Sequence, residues 1–79
     1  MLTENEMNIL YKAIETAKKG CKDIYAQLYL GAITEAGVIY GEEGVKVQLL
    51  YILGNLQQWR GEEARQTKKV FKDCIKKMD

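Results

Sequence analysis

The chain has no proline, which leaves glycine to break its regular structure, and Gly20, Gly41 and Gly61 stand at almost equal intervals along it. They divide the sequence into four lengths, each sufficient for a helix of about five turns. Gly41 and Gly61 are each followed by two glutamates, Glu42-Glu43 and Glu62-Glu63, which the positive end of a helix dipole favours in a first turn. This repeat is a start signal rather than a duplicated unit. Helices are expected over 3–19, 22–40, 42–60 and 62–78, giving a single all-α domain over 1–79 built as a three- or four-helix bundle. The count is three if Gly61 sits within one long bent helix.

Local signals support the outer segments. Thr3-Glu4-Asn5-Glu6 reads as a capping box, in which the Thr3 side chain and the Glu6 carboxylate satisfy each other's backbone amides, with Leu2 and Met7 placed as a hydrophobic staple. Met7, Leu10, Ile14, Ala17 and Cys21 keep a three-four spacing, and Lys18-Lys19-Gly20 offers cations and a left-handed glycine cap. In the last segment Ala64, Thr67, Phe71, Cys74, Ile75 and Met78 form an apolar line.

The middle segments behave differently. Between Lys22 and Tyr40 apolar residues cover nearly the whole helical wheel, with Gln27 and Thr34 as a thin polar stripe. A helix apolar all round must be buried all round. The third segment gathers Val45, Leu49, Leu50, Ile52, Leu53, Leu56 and Trp59 on one arc, with Val47 and Tyr51 opposite. A second pattern competes here: the run from Gly37 to Leu49 alternates about a Gly-Glu-Glu-Gly turn, as a β-hairpin does. The leucines from Leu49 onward need a helical period and favour the helix. With 79 residues, a single core supplies only a few kcal/mol of net stability, about 3–5. Two helices with cover on one side only are therefore expected to complete their core by homodimerisation.

Composition excludes much chemistry. The chain has no His and no Ser, removing the commonest general base and the commonest hydroxyl nucleophile. Cys21 and Cys74 have no activating base in the sequence, and two thiols cannot complete a tetrahedral zinc site in one chain. With no leader of basic and apolar residues, the expectation is a cytoplasmic protein with both thiols reduced; a disulfide pinning the two ends is the alternative. The adjacent glutamates point about 100° apart on a helix and cannot converge on one bond. No enzyme activity and no cofactor are expected. Ile24 to Gly41 approaches membrane-spanning length, but Glu35 within it and the lack of a flanking basic cluster argue against a membrane role.

What remains is the surface. A net charge of +1 is spread unevenly, the excess lying in the last segment, where Arg65, Lys68, Lys69, Lys72 and Lys76 share one arc. That arc is either a solvated outer face or a phosphate-backbone contact for nucleic acid. A helix-turn-helix between Tyr51 and Phe71 is a weaker option, since helices of this length suit a bundle. The other set is aromatic: the tyrosines and Trp59 supply rigid area with polar tips, as protein interfaces do. Tyr25, Tyr29, Val47, Tyr51 and Trp59 are the candidate interface residues, Tyr51 most of all because it points away from the main arc of its helix.

Residues 40–65, with Gln48, Asn55, Trp59, Arg60, Gly61 and Glu63 as the recognisable positions, resemble a segment of short uncharacterised proteins encoded by prophages and mobile elements of Gram-positive bacteria. The resemblance implies a setting and no activity. The expected function is non-enzymatic protein–protein interaction with an unknown protein partner, the alternative a small nucleic-acid-binding accessory or transcriptional regulator using the basic last helix.

Overall fold

A computed structural model describes residues 2–78, and among them the regular structure is entirely helical: α1 (Glu4–Gly20), α2 (Ile24–Gly54) and α3 (Glu62–Met78). The alternation between Gly37 and Leu49 forms no hairpin of strands; both flanks are helix.

A straight helix of 31 residues would run about 46 Å, yet the longest dimension of the molecule is 29 Å. The conflict is resolved at Gly41, whose backbone (φ 68°, ψ −153°) leaves helical space for a region essentially closed to residues with a Cβ. The two halves of α2 then lie side by side. Tyr29 and Tyr51, about 33 Å apart on a straight helix, have ring centroids 5.5 Å apart, and the Gln48 amide donates to the Tyr29 carbonyl at 3.1 Å. Gly44 makes this approach possible, because a Cβ there would lie 2.5 Å from the Ala36 carbonyl oxygen and 2.7 Å from the Tyr40 Cβ.

The ends of the helices correct three expectations. α1 carries the capping box, Glu6 N–H donating to Thr3 Oγ1 and Thr3 N–H to Glu6 Oε1, but Gly20 is no left-handed cap; the orphan carbonyls of Lys18 and Cys21 accept from the Gln27 side-chain amide at 3.0 and 2.6 Å. α2 starts at Ile24 rather than at 22, because Asp23 caps it through the Ala26 N–H at 2.9 Å. Its second half stops at Gly54 rather than at 60. Asn55 donates its side-chain amide to the Tyr51 carbonyl, ending the helix where two poor helix formers follow one another. Residues 55–61 therefore form a loop between α2 and α3, with Leu56 tucked inward from it.

α1 and α3 pack on each other and on one side of α2. Leu10, Ile14 and Ala17 from α1, Ala26, Leu30, Ile33, Leu49 and Ile52 from α2, and Phe71 and Cys74 from α3 meet in one core. Each fully buried side chain among them, such as Leu30 or Phe71, is worth about 1.5–3 kcal/mol. A Glu6–Lys77 ion pair ties the start of α1 to the end of α3. It holds the Glu6 carboxyl down to about 2 from an ordinary 4.5, with the Thr3 amide adding to the effect, and raises the Lys77 amine. The Leu2 N–H donates to Glu42 Oε2 at 2.9 Å, fixing the N-terminal residues beside the Gly41 turn.

Candidate functional site: an apolar face on α2

The expectation that α2 is buried all round holds for one side only. Ala26, Leu30 and Ile33, with Leu49 and Ile52, are turned to the core. The stripe one step round the helix, Tyr25, Leu28 and Ile39, is 64%, 64% and 59% exposed, and on the second half Leu50 and Tyr51 are 50% and 55% exposed. Among the described residues α3 exposes no large apolar side chain and α1 exposes two, Ile9 and Tyr11; the others are all on α2. Three-four spacing places Tyr25, Leu28, Ala32 and Ile39 in one line, and Val47, Leu50, Tyr51 and Gly54 in another beside it. Together they make the outward side of the hairpin.

Four of the five candidate interface residues meet on this side. The half-buried Tyr29 stacks on the exposed Tyr51, rings inclined by 27°, while Tyr25 and Val47 lie one turn away on their own halves. Trp59 does not join them. It is half-buried on the 55–61 loop, its ring against α1 where Gly20 leaves room: a Cβ on Gly20 would stand 2.7 Å from Trp59 Cζ2. Sequence reasoning missed Leu28, Ile39 and Leu50 by assigning leucines and isoleucines to the core. A second apolar stripe offset from the Ala26-Leu30-Ile33 line was the signal that could have found them.

The basic face of α3 is drawn together in part. Arg65, Lys68, Lys69 and Lys72 line one shallow concavity with Trp59, Arg60 and Gly61, whereas Lys76 lies a turn beyond it. Arg65 holds Glu62 with two 2.7 Å contacts, Lys68 donates to the Trp59 carbonyl, and Lys69 lies 4.0 Å from Asp73. Arg65 and Lys69 thereby have carboxylate partners within the chain.

Elsewhere, an apolar groove of about 340 Å³ runs between α1 and the Gly41 end of α2, lined by Leu10, Tyr11, Ile14, Ile33, Val38 and Val45 among others. Both cysteines are buried and free, and burial pushes the Cys74 thiol up, away from the thiolate a nucleophile needs. Glu62 carries Arg65 and Gln66, and Glu42 the Leu2 amide, so these carboxylates have structural work. Among the described residues no three metal-ligating side chains converge, and no helix is long and apolar enough to cross a membrane.

No family model, no curated protein and no solved structure matches this chain. The resemblance of residues 40–65 to prophage proteins gains no support from these comparisons.

Proposed function

We propose that this is a non-enzymatic interaction protein whose outward α2 face takes another polypeptide. One observation carries the reading: nearly all large apolar side chains left exposed lie on one helix, and six of them, Tyr25, Leu28, Ile39, Val47, Leu50 and Tyr51, align along its two halves. Scattered exposed leucines need no explanation, whereas a contiguous patch marks an interaction site. The patch joins aromatic and aliphatic side chains around the small Ala32, and it carries the carboxylates of Glu35 and Glu43. That composition suits a protein surface better than a nucleic acid or a polar metabolite. The setting we propose, from the resemblance of residues 40–65, is the cytoplasm of a bacterium carrying a prophage or mobile element. The test is a photo-crosslinker at Leu28 of the intact chain in its host. Crosslinks to polypeptide that disappear on Leu50→Glu support the reading; a face that crosslinks to nothing but solvent overturns it.

A nucleic-acid role for α3 is the second reading, favoured by the concavity that sets Trp59 beside Arg60, Arg65, Lys69 and Lys72. Its signature is salt dependence. Duplex or single-stranded affinity falling steeply from low to moderate ionic strength supports it, and no binding at low salt removes it.

A further inference from the structure

We infer that the occupant of the α2 face is a second copy of this chain, packed antiparallel about a two-fold axis that passes close to Ala32 and Leu50. The inference rests on the reading that this face binds protein, and it is carried by area, register and charge.

The exposed parts of Tyr25, Leu28, Ile39, Val47, Leu50 and Tyr51 amount to about 600 Å², taking roughly 150–200 Å² for each whole side chain. A stable dimer needs about 800 Å² from each partner, of which about 65% is apolar in homodimers. The face supplies that core without help, leaving the rim to polar neighbours. The whole molecule exposes 5356 Å², where a compact monomer of its mass would expose about 4900 Å². The excess is of the same order as the patch.

Register locates the axis. Ala32 and Leu50 are equally far in sequence from Gly41, each about 13 Å along its own half of the hairpin. Ile39 and Glu43 lie nearer the turn, Tyr25 and Gly54 farther from it, so Ala32 and Leu50 mark the middle. An isologous interface that overlaps two such patches fully puts the middle of each on the two-fold. The small side chain of Ala32 lets the helices approach there.

Charge selects the orientation. Glu35 and Glu43 both lie toward the turn end of the face. A parallel arrangement would set these carboxylates against their own copies. The antiparallel one sends the two Glu43 side chains to opposite ends, where the exposed Lys22, just before α2, comes level with Glu43 of the partner subunit, and Glu35, about 4.5 Å along the helix from Ala32, stays beside the axis. The basic α3 stays on the far side of the core, so its charge does not oppose association.

Light scattering on the purified chain at micromolar concentration should give about 18 kDa, twice the 9.0 kDa of one chain. Leu50→Glu and Leu28→Glu should each return it to one chain with unchanged helical circular dichroism, since both side chains are exposed. Under mild oxidation Leu50→Cys should link into a covalent dimer, while Ile9→Cys, 46% exposed on α1, should not. A wild-type mass of one chain overturns the second copy. If such a monomer still loses its host crosslinks on Leu50→Glu, the interaction reading survives without the dimer; if it has none to lose, both fail. A dimer that ignores Leu50→Glu, or links no faster through Cys at 50 than at 9, overturns the two-fold placed here.

Discussion

α3 and α2 are both helices of one small bundle, and they divide their side chains in opposite ways. α3 puts Ala64, Thr67, Phe71 and Cys74 on one side and its lysines on the other; its own chain buries that line and half-buries Val70, Ile75 and Met78 beside it. α2 is far richer in apolar residues, yet they point almost evenly in all directions, and α1 and α3 together reach only one side of it. What a helix asks of its surroundings is thus set by how its apolar residues are distributed as well as by how many there are. A sided helix is satisfied by one neighbour layer, and an unsided one needs two.

The comparison breaks most sharply in the core. Measured by urea unfolding in the Leu50→Glu background, Phe71→Ala on α3 should cost about 3–5 kcal/mol and leave the chain at the edge of folding. Leu28→Ala on the outward side of α2 should stay within about 0.5 kcal/mol. Equal losses would mean that the α2 face is packed within one chain. Next come the glycines that make α2 double back. Gly41→Ala forces a Cβ into a region it cannot occupy, and Gly44→Ala drives one into the Ala36 carbonyl; each should cost about 1–3 kcal/mol in the same assay. Gly31, in the same helix with open space where its Cβ would be, should behave in the reverse sense. Gly31→Ala should gain about 0.5–1 kcal/mol from helix propensity, and a loss there would show that something already occupies that space.

The smallest effect concerns the pair that closes α1 onto α3. Glu6 has its carboxyl lowered from 4.5 to about 2, chiefly by Lys77. A depressed carboxyl adds stability that is complete above its unfolded value and is lost as pH falls toward the folded one. Glu6→Gln keeps an acceptor for the Thr3 amide but not the charge. Wild type should therefore melt higher than the variant near neutral pH, with the gap closing between about pH 4.5 and 2. A gap that persists below pH 2 would assign the difference to something other than the ion pair.

The sequence made the sided helices legible and the unsided one only in outline. The capping box at Thr3 and the apolar line of α3 lie where their spacing put them, because local pattern and tertiary packing agree there. The break at Gly41 was readable from the glycine-glutamate pair. The end of α2 was not, because the leucine period continues through Leu56, which reaches the core from a loop rather than from a helix. Val47 and Tyr51 could be picked out for lying off the main arc of their segment, and Tyr25 and Tyr29 for the rigid, polar-tipped area a tyrosine offers. Leu28, Ile39 and Leu50 could not, since a leucine on a helix carries no mark of which of two apolar sides it faces. Trp59 was misplaced for a similar reason: its contact is the missing side chain of Gly20, and an absence leaves no signal in a pattern of hydrophobic residues.

The seat of Trp59 on Gly20 also gives the chain a built-in optical division. It is the one tryptophan in the sequence, and its indole reports on the junction between the 55–61 loop and the end of α1. Tyr25 and Tyr40 stand exposed on α2, which also carries the stacked Tyr29 and Tyr51. Indole emission should therefore follow the opening of the core most strongly, whereas phenol absorbance should also follow the covering of the outward face. Two chromophores native to the chain thus separate folding from association without a label.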